Sequence, residues 1–179
     1  MGERPTLLLV TGPPGTGKST LAEAAARTLR APVLAWDWVM AGLTGFDGVQ
    51  EALRAMDRPA HRSVGWSILW NLAVAQLRQG RSVVLDGCAR EPEVDGTRRT
   101  AADTGARCVV AVTSCRDAGV HRSRVEGRVR GIPGWHELDW DHVSGFVARW
   151  EPPAGDLCLD AVDPLGDNVG ALDVVLRAG

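Results

Sequence analysis

A doubly wound α/β sheet of about five parallel strands, with helices on both faces, is the fold this sequence predicts. Three observations predict it. Short, unbroken apolar runs alternate with stretches of helical period, and unbroken apolar character marks strands covered on both sides. The first run leads into a glycine-rich loop and then a helix. The length of 179 residues suits one domain, taken as residues 1–179, with no repeat or linker to divide it.

Taken in order, Thr6 to Val10 is the first buried strand and ends at Thr11. Gly12-Pro13-Pro14-Gly15-Thr16-Gly17-Lys18-Ser19 follows, then Thr20, and the stripe Leu21, Ala24, Ala25 and Leu29 marks a helix. Val33 to Trp36 is a second strand, ending at Asp37. Gly42 to Asp57 is the least regular stretch and is read as a mobile substrate-side segment. His61 to Gln79 is a long helix, with Val64, Ile68, Leu69, Leu72 and Leu77 on its period and Gly80 to end it. Ser82 to Leu85 is a strand ending at Asp86. Pro92 to Thr104 is a polar, exposed helix with Pro92 in its first turn. Cys108 to Val112 is a strand ending near Ser114, and Asp117 to about Arg128 is an arginine-rich helix. Asp139 to Trp150 is a helix with Val143, Phe146, Val147 and Trp150 on one side. Asp156 to Leu159 is the last strand, ending at Asp160, and Asp167 is a candidate cap for the final helix.

The whole-chain properties exclude several classes. A formal net charge of -2 gives no general attraction to nucleic acid or anionic membrane. No apolar run is long enough to cross a bilayer, and Met1 to Val10 holds too short a segment for a signal peptide, so a cytoplasmic location is expected. Cys88, Cys108, Cys115 and Cys158 have no metal-ligand spacing and read as buried free thiols.

The loop Gly12 to Ser19 reads G-x-x-x-x-G-K-S, the pattern of a phosphate-binding P-loop, so the sheet is of the P-loop NTPase type. Its glycines let backbone N–H groups turn towards phosphate oxygens at the positive end of a helix. Lys18 is the only lysine in the chain; the other basic residues, 19 of the 20, are arginines. A narrow ammonium lies along a phosphate chain as a planar guanidinium cannot. The Ser19 hydroxyl is a candidate ligand for Mg²⁺. Together these point to ATP with Mg²⁺.

Phosphoryl transfer further needs an acceptor-side base, support for the metal, and cations over the migrating group. Asp37 is the candidate base, its alternative role being a helix cap. Asp86 is a candidate for holding Mg²⁺ through water or for binding the acceptor, and the roles of the two aspartates are interchangeable at this stage. Arg90, just beyond Asp86, is a candidate acceptor contact. Four arginines crowd Arg122 to Arg130, with Arg124 and Arg128 on one helix face; Gly131, Pro133 and Gly134 follow, so a lid is expected at about 128–140. Arg124 and Arg128, with Arg130 as a further candidate, would cover the phosphates. His136 and His142 carry no specific role. Trp36, Trp38, Trp66 and Trp135 are candidate walls of an acceptor pocket, while Trp70 and Trp150 are read as core.

These residues resemble the small P-loop kinases of the shikimate, gluconate and polynucleotide kinase kind, and among them the chain looks most like the chloramphenicol phosphotransferase group. The resemblance rests on Gly12 to Ser19, on Asp37 between an apolar strand and a helix, and on the spacing from Cys115 to Arg124 and Arg128. It implies that Asp37 is the base, that Arg124 lies near the nucleotide and Arg128 in the lid, and that Asp163-Pro164-Leu165 is the adenine-side loop. The prolines in GPPGTGKS and the Trp36-Asp37-Trp38 surround depart from that group. The resulting expectation is an ATP- and Mg²⁺-dependent kinase acting on a hydroxyl of a small molecule, with an antibiotic or other natural product as first acceptor, and no membrane or nucleic-acid partner. Nucleoside, sugar or polynucleotide 5′-hydroxyl acceptors are alternatives. So is a nucleotide-binding switch or regulatory ATPase without an acceptor. Oligomeric state is not readable.

Overall fold

The computed structural model describes residues 4–178; residues 1–3 and 179, the ends of the expected domain, lie outside the described residues. Five strands form one parallel sheet in the order β2-β3-β1-β4-β5. They are β1 (Thr6–Thr11), β2 (Val33–Ala35), β3 (Val83–Asp86), β4 (Arg107–Ser114) and β5 (Leu157–Asp160). The central strand β1 is buried along its whole length, which explains its unbroken apolar sequence.

Alternate residues of each strand face opposite layers. Leu7, Leu9, Val83 and Leu85 pack with Trp66, Leu69 and Val94, on α4 (Arg58–Leu77) and α5 (Glu91–Thr104). Leu8, Val10 and Val84 pack on the other face with Leu21, Ala25, Leu172 and Leu176, on α1 (Lys18–Leu29) and α8 (Leu165–Arg177). The expected doubly wound sheet, with helices on both faces, is the architecture observed.

Several local expectations change. Trp36 does not extend β2; it begins helix α2 (Trp36–Leu43), so Asp37 sits in the first turn of a helix, where its charge complements the helix dipole. The segment read as irregular folds into α3 (Asp47–Ala55), an amphipathic helix that buries Leu53. On α4 the buried face runs through Gly65, Trp66, Leu69, Ala73 and Leu77, and Leu72 is exposed. On that buried face the Trp36 indole lies where a Cβ on Gly65 would be, so only glycine admits the ring there. Helix α5 is less exposed than its polar sequence suggests, because Glu93, Thr97 and Thr100 are buried and hydrogen-bonded. All four cysteines are free, but none is fully buried: Cys88, Cys108 and Cys115 are partly exposed and Cys158 is exposed. Asp167 lies inside α8, which starts after Pro164.

The parallel topology places every strand's carboxyl end on one rim, where ligands of open α/β sheets bind. Asp86 pairs in register with Val10 on one side and Ala35 on the other. It therefore stands between the start of the P-loop and the start of α2.

Candidate active site

The P-loop is shaped by its neighbours as well as by its glycines. Gly12 has φ 145° and lies against the Thr113 side chain and carbonyl on β4, leaving no room for a Cβ. The Thr16 hydroxyl donates to the Pro13 carbonyl at 2.7 Å and lies 2.6 Å from the Thr113 hydroxyl. Lys18 is buried, 9% exposed, and its Nζ donates to the same Pro13 carbonyl at 2.8 Å. Ser19 and Thr20 are exposed at the start of α1.

Beside this loop is a cavity of about 400 Å³. Gly15 to Leu21 form its floor, Arg124 and Arg128 one wall, and Ala161, Asp163, Leu165 and Asn168 the other. Pro13 and Pro14 do not line it, and neither does Pro164, although both of its neighbours do. Arg124 is carried by α6 (Ala118–Glu126), and Arg128 by the irregular stretch that follows. Burial and the neighbouring Arg130 lower the Arg128 pKa, while Asp37 and Asp86 act in the opposite direction.

Asp86 is 7% exposed, and burial raises its pKa; the Lys18 ammonium and the Ser19 hydroxyl partly offset that rise. Its folded pKa thus lies above the ordinary value near 3.8. The native state holds this proton more tightly than the unfolded chain, so the stability contribution is present at low pH and lost as pH rises through the folded pKa. Above its folded pKa, the ionised Asp86 therefore costs stability. Asp86→Asn is expected to raise the melting temperature at pH 8 by about 2–4 °C for each ~1 kcal/mol recovered. The gain should shrink as pH falls through the Asp86 titration, while turnover is lost. Scanning calorimetry across pH checks this; a lower melting temperature at pH 8 would show that Asp86 is a stabilising partner of Lys18.

On the opposite side, Asp37 is bound by the lid. Arg130 Nη1 donates to Asp37 Oδ2 at 2.5 Å, its Nε to Glu137 at 3.2 Å and its Nη2 to the His136 carbonyl at 2.6 Å. The Arg130 side chain is only 6% exposed, and that of Asp37 is 39% exposed. Of the lid expected at about 128–140, residues 128–139 carry no helix or strand and run between α6 and α7 (Trp140–Val147), which takes in the last position. Trp36 and Trp135 meet edge to face with centroids 6.0 Å apart, and Trp36 Nε1 donates to the Arg62 carbonyl at 3.3 Å. Trp38 is exposed, whereas Trp66 is 1% exposed and belongs to the core. Arg90 lies over the Phe146 ring of α7. The structure thus gathers Lys18, Ser19, Asp86, Arg124 and Arg128 at the loop, with Asp37, Arg130, Trp36 and Trp135 alongside.

Two residues at this site carry no signal in the sequence reading. Cys88 follows Asp86 by two positions; burial raises its thiol pKa, Lys18 lowers it, and Asp37 and Asp86 raise it further, so it sits among the central charges. His121 is 4% exposed, and its Nε2 lies 2.7 Å from the Pro14 carbonyl. A carbonyl only accepts, so Nε2 donates. The ring also meets Trp140 edge to face at 5.3 Å, which ties α6 and α7 to the phosphate loop. A helical projection would have found it, since His121 stands three residues before Arg124 on one face. His121→Phe leaves the Pro14 carbonyl unpaired, and nucleotide affinity is expected to fall about tenfold. His121→Gln, which keeps a donor near the Nε2 position, should restore most of it. Tryptophan-fluorescence titration with ATP measures this; equal affinities for all three proteins would reduce His121 to packing.

The comparisons with known proteins concern the fold and the family. A sugar kinase from Janibacter sp. HTCC2649 superimposes with a TM-score of 0.70 at 16% identity, covering 97% of this chain and 95% of that one. A gluconokinase from Sinorhizobium meliloti 1021 gives 0.66 at 17% identity, covering 98% and 97%. The Mycobacterium tuberculosis APS kinase in complex with AMPPNP and APS gives 0.66 at 18%, covering 98% and 99%. At such identities the likeness is one of fold: the chain has the fold of P-loop kinases. Among curated proteins, an uncharacterized protein of Mycobacterium tuberculosis (strain ATCC 25618 / H37Rv) is 30% identical over 149 residues, 75% of this chain. The chain spans about 30% of the length of the curated relatives it matches. Among the described residues, no helix is long and apolar enough to cross a membrane. The AAA domain family (AAA_33) matches residues 7–153, which include the P-loop, Asp37, Asp86 and the lid, and the chain belongs to that family.

Proposed function

We propose that this protein is an ATP- and Mg²⁺-dependent kinase that transfers the γ-phosphate to a hydroxyl of a small molecule. One observation carries the reading: the cavity over the phosphate loop is lined by Lys18, Arg124 and Arg128, with the buried Asp86 in the field of Lys18 and with Asp37 held by the lid arginine Arg130. In this reading Lys18 and the loop N–H groups hold the β- and γ-phosphates. Arg124 and Arg128 neutralise charge on the migrating group. Asp37 orients the acceptor hydroxyl and accepts its proton as the new O–P bond forms and the bond to ADP breaks. Arg130 holds Asp37 until an acceptor competes for it.

The residues present fit a magnesium ion. Asp86 and Ser19 supply hard oxygen donors next to the loop, and no cluster of three or more acidic, histidine or cysteine side chains that could hold a metal occurs among the described residues. Few protein ligands suit Mg²⁺, which shares its coordination with phosphates and water. When bound, the ion would be held by Ser19 and Asp86 and would supply positive charge to offset that of the phosphates.

The half-buried Trp36 and Trp135, together with the resemblance to chloramphenicol phosphotransferases, support an acceptor with a large apolar part, such as a natural product or antibiotic. A cytoplasmic location belongs to the same reading. The test is transfer of label from γ-labelled ATP to a metabolite and antibiotic library, with the Lys18→Ala protein as blank. One labelled product identifies the acceptor. Hydrolysis that no compound alters would replace the kinase reading with that of a regulatory ATPase.

A further inference from the structure

Of six arginines near the rim, three have carboxylate partners. Arg130 is held by Asp37 and Glu137, Arg116 by Asp160 and Asp163, and Arg62 by Glu93. Arg124 and Arg128 face the nucleotide cavity. Arg90 differs from all of these. It stands at the start of α5, four residues beyond Asp86, and its Nε is buried with no hydrogen-bond partner. It is the only buried side-chain nitrogen or oxygen so placed among the described residues.

The acids nearest to Arg90 in sequence are committed elsewhere. Glu93 Oε2 accepts from Arg62 at 2.5 Å and from the Arg90 backbone N–H at 2.8 Å. Glu91 pairs with Arg98 and accepts from the Ala154 backbone. The guanidinium instead rests on the Phe146 ring, 5.9 Å from its centroid. A buried guanidinium N–H without an acceptor is costly, and native structures rarely leave one. A guanidinium offers its planar edge to two oxygens of one anion. The start of α5, which carries Arg90, borders the acceptor side: the Arg90 backbone N–H shares Glu93 with Arg62, whose carbonyl accepts from Trp36, and Trp36 adjoins Asp37.

Resting on the kinase reading above, we propose that the acceptor carries an oxyanion, a carboxylate or a phosphate monoester, besides its reacting hydroxyl, and that Arg90 binds that oxyanion. Phe146 lies under the guanidinium, and Trp36 and Trp135 cover the apolar part of the same molecule. The acceptor is thus an amphipathic hydroxy compound with one anionic end.

The experiment has two readouts on wild type, Arg90→Gln and Arg90→Lys. The first is label transfer from γ-labelled ATP to matched pairs: hydroxy acids with their methyl esters, and phosphate monoesters with their dephosphorylated forms. The charged member of a pair should be the acceptor. Arg90→Gln should raise its KM about tenfold or more, leave the KM for ATP unchanged, and be partly rescued by lysine. The class of the labelled pair decides between carboxylate and phosphate. The second readout needs no turnover. With AMPPNP saturating the P-loop, inorganic phosphate or acetate is titrated at constant ionic strength, and binding to wild type should raise the melting temperature by about 2–4 °C. Arg90→Gln should abolish that shift. If neutral compounds are labelled as well as charged ones and Arg90→Gln is indifferent, the kinase reading stands and the Arg90 site is overturned. If nothing is labelled but the anion-dependent shift vanishes in Arg90→Gln, the site stands and the kinase reading falls. Absence of both signals overturns both.

Discussion

Lys18→Ala is expected to lower phosphoryl transfer by about 10²–10³-fold, the usual loss when one preorganised charged donor is removed from a developing oxyanion. No other lysine exists to take its place. The fold should survive the change. The Pro13 carbonyl that accepts from Lys18 Nζ also accepts from the Thr16 hydroxyl, so the loop keeps an internal clasp and no carbonyl is orphaned. The melting temperature should therefore stay within about 4 °C of wild type. Lys18→Arg should be nearly as inactive, because the planar guanidinium needs room that a 9%-exposed position wedged against the loop does not offer. Single-turnover transfer and a thermal melt check both statements. Full activity in either variant would remove the P-loop from the mechanism.

Asp37→Asn is expected to cut kcat by about 10²–10⁴-fold, the range for loss of a positioned base. ATP affinity should change by no more than about twofold, since Asp37 does not line the nucleotide cavity. The pair with Arg130 is partly exposed on the Asp37 side, so its loss should cost no more than about 1 kcal/mol of stability. Arg130→Ala separates two roles. It leaves the carboxylate in place but releases the lid from Asp37, Glu137 and the His136 carbonyl. If Asp37 accepts the proton, Asp37→Asn is far more damaging than Arg130→Ala. If Asp37 only fastens the lid, the two single variants and the double variant lose activity equally, and the coupling energy equals the whole effect. Unchanged turnover in Asp37→Asn would reduce the residue to a charge on the first turn of α2.

The arrangement also explains why the acceptor side was the less legible half. Lys18, Ser19 and the glycines are contiguous, and their chemistry follows from a loop of fixed spacing between a strand and a helix. Asp86 could be placed because a buried parallel strand reads as an unbroken apolar run and must end at the rim. Arg124 and Arg128 are paired in the sequence by a helical period, yet α6 ends at Glu126 and Arg128 reaches the same cavity from the irregular stretch beyond it. Arg130 was the weaker lid candidate on that period, yet it is the lid arginine that reaches Asp37, across 93 positions of sequence. Trp66 and Trp36 look alike in composition, but one fills the core and the other stands beside the site.

The sequence by itself determined the sheet, the side of it on which ligands bind, and the phosphate-binding loop, because all three depend on local periodicity and backbone geometry. Only the tertiary structure decided that His121 fastens Pro14, that Arg130 holds Asp37, and that Arg90 is left over Phe146 with a buried N–H unmatched. Each of these joins residues far apart in the chain. Which polar groups find partners, and which one does not, is set by how the helices pack over the rim and by no spacing along the sequence.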